Sequence, residues 1–203
     1  GADTIVAGEG ENVITAGAGI DAIDVSGSGV SHIIMTGGGT DIDIITGFDG
    51  TVTTGDHVAI DLSDLNAIVT DMHFGDGLAL AETTLANFTI EAISGATEID
   101  DGSHLVALTG DFANTTEVAA ALAINGSHEL SLGADAADLA QGDAMLVLWD
   151  DGTNSFLARL TTNAAINASA ADTFAATATV TNLMQFNGIE TDAFGGTTFE
   201  VIA

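Results

Sequence analysis

Ala7-Gly-Glu-Gly-Glu-Asn-Val-Ile-Thr15 and, directly after it, Ala16-Gly-Ala-Gly-Ile-Asp-Ala-Ile-Asp24 are two copies of one nine-residue pattern. Two glycines alternate with other residues, an oxygen-bearing side chain follows, and an isoleucine comes two places later. Working outward, the second glycine recurs as Gly1, Gly10, Gly19, Gly29 and Gly39, at steps of 9, 9, 10 and 10. The first recurs as Gly8, Gly17, Gly27 and Gly37. Two residues after each second glycine stands Asp3, Asn12, Asp21, Ser31 or Asp41; two further on come Ile5, Ile14, Ile23, Ile33 and then Asp43.

Each part of the pattern has a physical use. Glycines at alternate positions permit a tight turn with positive φ and let carbonyls converge without Cβ interference. Converging carbonyls and a carboxylate are the hard oxygen ligands that Ca2+ takes. The segment around each isoleucine reads as a short strand with the apolar residue inward and its neighbours outward. One turn and strand cannot bury its apolar side alone, but stacked copies can. The metal-free alternative is a glycine-rich β-solenoid whose aspartates cap turns through their own backbone.

The two complete copies resemble the GGxGxDxUx nonapeptide of the repeats-in-toxin family. That resemblance implies a short parallel β-roll with Ca2+ between glycine-rich turns stacked on each edge. It places the turns around Asp3, Asp21 and Asp41 on one edge and those around Asn12 and Ser31 on the other. The implied metal residues are Asp3, Gly8, Gly10, Asn12, Gly17, Gly19, Asp21, Gly37, Gly39, Asp41 and Asp43. The first edge keeps every aspartate and is the better metal edge; Asn12 and Ser31 leave the second weaker. Single-residue insertions before Gly29 and Gly39 are expected to bulge the strands. Asp43, in the place of an apolar residue, marks the end of the roll, with Ile44 and Phe48 closing it. Asp49, Asp56 and Asp61 are candidates for a last ion.

Charge bounds the partners. Thirty Asp and Glu face one basic residue, Arg159, for a formal net charge of -29. Nucleic acid and anionic membranes both need clustered Lys and Arg, so neither is an expected partner. Such a charge destabilises a compact state unless cations neutralise it or salt screens it. At 203 residues and 46% hydrophobic content the chain can still build a real core. Without Cys, disulfides and thiolate metal sites are excluded. No apolar run of about 18 residues predicts a membrane-spanning helix. No basic, apolar leader opens the chain, and residue 1 falls inside a repeat, as expected of the C-terminal portion of something longer.

From about residue 65 the glycine pattern is gone. The expected division is a calcium β-roll over 1–49 and a β-rich C-terminal domain over 50–203 with one or two short helices, all-β with minor α overall. Strands are expected at 88–93, 104–108, 174–183 and 197–202. Asn114-Thr-Thr-Glu117 has the form of a helix cap, predicting a helix over 115–123, and a second is expected near 136–140. Met145 to Trp149, Asp150-Asp-Gly-Thr-Asn154 and Ser155 to Leu160 read as a hairpin, because Asp-Gly separates two apolar runs.

No catalytic constellation emerges. His32, His57, His73, His104 and His128 are scattered without HExxH spacing, and neither a GxSxG elbow nor a phosphate-binding glycine loop occurs. Asp100-Asp101 and Asp150-Asp151 are adjacent acids in a chain rich in acids, and the second pair belongs to the hairpin turn. The expectation is therefore not an enzyme. The tail Phe199-Glu-Val-Ile-Ala203, an acid before apolar residues, resembles the terminal signal of type I secreted proteins. With the hairpin and Thr-rich strand, it is similar to the C-terminal region of calcium-dependent bacterial surface-layer proteins. The resemblance implies a secreted, cell-surface protein that folds on Ca2+ after export by the type I machinery and self-associates into an array. The rival readings are an export module of a secreted protease or lipase, or of an adhesin, with the active domain upstream.

Overall fold

The computed structural model describes residues 1–27, 29–35, 41–51, 55–61, 90–99, 105–133, 138–167, 173–174 and 178–202. Within them the chain is mostly β. Six short strands open it: β1 (Thr4–Val6), β2 (Asn12–Thr15), β3 (Ala22–Asp24), β4 (Ser31–Met35), β5 (Asp43–Thr46) and β6 (His57–Asp61). Odd and even strands separate into two sheets. β1, β3 and β5 lie parallel in one, with Ile5, Ile23 and Ile45 in register; β2, β4 and β6 lie parallel in the other, with Ile14, Ile33 and Val58 in register. These rows meet in a common core. The cause is the period-two alternation around each isoleucine, explicit in β4, where Ser31, Ile33 and Met35 are buried and His32 and Ile34 are not.

Both registers run without a shift, so the described strands β1 to β6 pair without the expected bulges. Ile44 and Phe48 do not close the stack. The first sheet continues from β5 into β13 (Thr179–Asn187), parallel, with Phe186 beside Ile45. The second continues from β6 into β14 (Phe199–Ile202), parallel, with Phe199 beside Val58. Phe48 instead joins an aromatic cluster, 4.9 Å from Phe186 and 5.9 Å from Phe194, with Phe194 stacked on Phe199 at 5.7 Å. Strands drawn from 1–49 and from 50–203 thus share both sheets and one core.

Beyond β13 the larger sheet adds β12 (Asn154–Thr161), β11 (Ala144–Asp150), β9 (Leu105–Asp111) and β7 (Ile90–Ile93). β11 and β12 form the expected hairpin, with Asp151 accepting hydrogen bonds from the Thr153 and Asn154 amides across the turn. All seven residues of β11 are buried because it has protein on both faces. Ala144, Leu146 and Leu148 face the core shared with the repeats; Met145, Val147 and Trp149 face a second core, which includes residues of the helix α1 (Thr115–Leu122). That helix starts as its sequence dictates: the Asn114 carboxamide oxygen accepts from the amides of Thr116 and Glu117, and the Glu117 carboxylate accepts from the Ala113 amide. A small parallel pair, β8 (Thr97–Ile99) and β10 (Leu130–Leu132), completes the architecture. Near 136–140 the expectation fails for the described part: Leu139 bridges Ile166 in extended conformation instead of joining a helix, and residues 136 and 137 lie outside the described residues.

Candidate metal centre

The stacking that buries the isoleucines also brings the repeat carboxylates into line. Asp3, Asp21 and Asp43 each stand two residues before the isoleucine that faces the core, so parallel register sets them one above another. The Asp3 amide donates to Asp21 Oδ1 at 2.6 Å, and the Asp21 amide donates to Asp43 Oδ1 at 3.0 Å. This corrects the sequence assignment at one point. The third member of the row is Asp43, not Asp41, and the inward apolar residue that follows it is Ile45, so the fifth strand sits two residues later than the spacing from Gly39 suggests. Asp41 lies half-buried beside the row, close enough for its charge to act on Asp43. Gly37 and Gly39 lie outside the described residues.

Asp3 at the outer end of this row is exposed, but the environment of Asp21 and Asp43 is hostile to charge. Asp21 is 0% exposed, and its Oδ2 has no hydrogen-bond partner. Asp43 is 5% exposed; burial, with smaller repulsion from Asp21 and Asp41, pushes its carboxyl up to about 6, against the pull of the Asp21 amide. A buried carboxylate oxygen without a partner costs on the order of 1–3 kcal/mol or more. Gly17 and Gly19, at φ of +88° and +127°, form the turn that leads directly into Asp21.

The other edge is built differently. Its row is Asn12, Ser31 and Asp56, the last being a member that only its place two residues before Val58 betrays in the sequence. Asp56 is buried, but both its oxygens are used: Oδ1 accepts from the Ser31 amide at 2.7 Å and Oδ2 from the Asp49 amide at 2.9 Å. At the outer turn the Asn12 amide group donates to the carbonyls of Gly8 and Gly10, at 3.2 and 3.0 Å. An amide thus sits where a cation would need those same oxygens. Asp61 stands at the end of β6, away from this row.

On the aspartate edge, Asp21 and Asp43 are the two buried carboxylates that would serve as oxygen ligands to a cation. Among the described residues no three or more His, Asp or Glu side chains are grouped to hold a metal ion by themselves. An ion beside Asp21 and Asp43 would take two carboxylates and complete its shell from turn carbonyls and water, as Ca2+ with its six to eight oxygen ligands can.

His32 and His57 stack at 4.9 Å on the outer face of the smaller sheet, with Glu200 3.7 Å and Glu11 3.9 Å from His32. His57 Nδ1 lies 2.7 Å from the Thr197 carbonyl, and His128 Nε2 lies 2.9 Å from the Thr109 carbonyl; His73 and His104 lie outside the described residues. Asp150, buried at the hairpin, accepts from the Thr191 hydroxyl at 2.9 Å and the Gly152 amide at 3.1 Å, tying the 3-10 turn Thr191–Ala193 to the sheet. Nothing in the sequence signalled that contact, since its partners are 41 residues apart. Among the described residues no helix is long and apolar enough to cross a membrane. No family model, curated protein or solved structure matches the chain.

Proposed function

We propose that the repeats are the coils of a calcium β-roll and that the chain is a structural part of a secreted bacterial surface protein. It folds on Ca2+ outside the cell and then self-associates. The observation that carries this reading is the fully buried Asp21 carboxylate, one oxygen bonded to the Asp3 amide and the other orphaned, directly beside the buried Asp43. A divalent cation there supplies the missing partner for Asp21 Oδ2 and neutralises the row. The protein's own part is to hold Asp3, Asp21 and Asp43 in register through the parallel strands and to bury Asp21 and Asp43 against the isoleucine core. Without the ion, these carboxylates repel one another and the glycine-rich turns have no closing contact. That leaves the chain extended before export, which the resemblance assigns to the type I machinery. Extracellular calcium on the order of 10⁻⁴–10⁻³ M is the range in which such modules bind.

The test is far-UV circular dichroism and isothermal titration calorimetry of the whole chain with calcium and with EGTA. A calcium-dependent gain of β signal, with saturable heat weakened at least tenfold in Asp21→Asn, is expected. An identical spectrum in both buffers would sink the reading.

A further inference from the structure

Asparagine followed directly by glycine occurs twice in the chain, at Asn125-Gly126 and at Asn187-Gly188. In such a pair no Cβ shields the backbone nitrogen of the glycine, so that nitrogen can reach the carbonyl carbon of the asparagine side chain before it. Asparagine is a thermolabile residue for this reason. The fold treats the two pairs in opposite ways.

Asn187 is the last residue of β13 and is held from both flanks, paired in register with Asn154 on one and Thr46 on the other. Its carboxamide oxygen accepts from Gln185 Nε2 at 2.7 Å, and its Nδ2 donates to the Thr46 hydroxyl at 3.2 Å. The Gly188 amide donates to Asn154 Oδ1 at 3.3 Å. The side chain cannot turn onto the Gly188 nitrogen without giving up all three bonds.

Asn125 lies in the turn that follows α1. It is exposed, and among the described residues it is the only one besides glycine with a positive φ, +62°. Asn and Asp are the residues with a side chain that enter this region most readily. Gly126 is fixed for another reason: a Cβ there would strike the carbonyls of Ala121 and Ala120 at the end of the helix. The turn thus requires glycine at 126 and favours asparagine at 125, and so retains the labile pair. The Asn125 backbone amide donates to Glu129 Oε2 at 2.8 Å, whereas its carboxamide has no hydrogen-bond partner among the described residues. A single bond restrains the attacking nitrogen, from the Gly126 amide to the Ala123 carbonyl at 2.8 Å. It lies just past the helix terminus, where backbone bonds open most readily.

We infer that Asn125 is a site of spontaneous modification, converting to aspartate and isoaspartate in the folded protein while Asn187 stays intact. The Gly126 nitrogen gives its proton to solvent base and attacks Asn125 Cγ. A C–N bond forms, the Cγ–Nδ2 bond breaks, and the side-chain nitrogen leaves as ammonia. Water then opens the cyclic imide at either carbonyl, and no other reactant is needed. Opening to aspartate keeps the backbone and adds a carboxylate near Glu129. Opening to isoaspartate inserts a methylene into the backbone between α1 and His128. His128 is pinned at both ends, its amide donating to the Ala121 carbonyl at 2.9 Å and its Nε2 lying 2.9 Å from the Thr109 carbonyl, so the added length pulls on the end of the helix. The change runs one way only.

Peptide mass mapping tests this on the full chain, shown to be folded by circular dichroism and aged in warm, mildly alkaline buffer, beside the same chain aged in urea. In the folded protein deamidated product is expected at Asn125 at least fivefold faster than at Asn187, and in urea, where neither side chain is held, the two rates should converge. An isoaspartyl methyltransferase should label the aged folded protein. Asn125→Gly, which fits the same φ and carries no carboxamide, should lower that label at least fivefold. Product at Asn187 as fast as at Asn125 in the folded chain overturns the inference, as does an Asn125 left unchanged when the urea sample has converted. An undiminished methyl label in Asn125→Gly overturns it too.

Discussion

Replacing Asp43 by asparagine should make the calcium-free protein more stable at pH 7.5, not less. The carboxyl is 5% exposed and pushed up to about 6 from an ordinary 3.8, chiefly by burial. For an acid raised in the folded state, the stabilising contribution is complete below the unfolded value and is lost as pH rises through the folded one. Between about pH 4 and pH 6 the calcium-free fold therefore weakens. A shift of about two units at about 1.4 kcal/mol each gives a cost of up to about 3 kcal/mol at pH 7.5 and roughly half that at pH 5. Asparagine has nearly the same shape and keeps an oxygen to accept the Asp21 amide, now at 3.0 Å. The gain should thus appear as a rise in melting temperature of about 5–10 °C in EGTA at pH 7.5, since 1 kcal/mol moves a chain of this size by roughly 2–4 °C. On the calcium reading the order reverses in calcium, because the variant would lack a charged ligand. Thermal unfolding followed by circular dichroism at both pH values, with EGTA and with calcium, is sufficient. A variant that melts lower than the parent in EGTA at pH 7.5 would refute the reasoning, and an equal gain at pH 5 and pH 7.5 would show that the effect is not electrostatic.

Gly27→Ala should cost about 1–3 kcal/mol in urea unfolding, because its Cβ would press on the Gly8 carbonyl. Gly8→Ala, under dilute conditions, should stay within about 0.5 kcal/mol of the parent; similar losses at both positions would contradict the stacking of the turns. Asn114→Ala removes the acceptor for two helix amides and should cost about 1 kcal/mol by the same assay, with Asn114→Gly costing a few tenths. Phe186→Ala empties the centre of the aromatic cluster that joins the repeats to β13, and a loss of about 3–5 kcal/mol is expected.

The local parts of this fold were legible because their causes are local. The cap at Asn114, the Asp-Gly hairpin after Trp149 and the turn-and-isoleucine period each depend on a few neighbouring residues. Asp43 was misplaced for a definite reason. Counting from Gly39 puts Asp41 in phase, two residues ahead of the strand's own register, and register is decided by which isoleucine reaches the core. Ile45 does, at 0% exposure, while Ile44 faces outward. Asp56 carries the same relation to Val58 without the glycine spacing that would flag it. The roles of β13 and β14 as continuations of the two sheets were beyond reach, since nothing near Phe186 or Phe199 names a partner about 140 residues earlier.

That distant closure also sets a clock. β5 and β6 find their outer partners only in residues 184–187 and 199–202, so the repeats remain a pair of unfinished edges until those strands, about 140 residues later, exist. Contacts so far apart in sequence make slow folders, because the loop entropy is spent before the contact repays it. A chain made from its N-terminus onward thus cannot complete its first fifty residues early. The same delay that exposes it to misassociation keeps it pliable until those two strands are made.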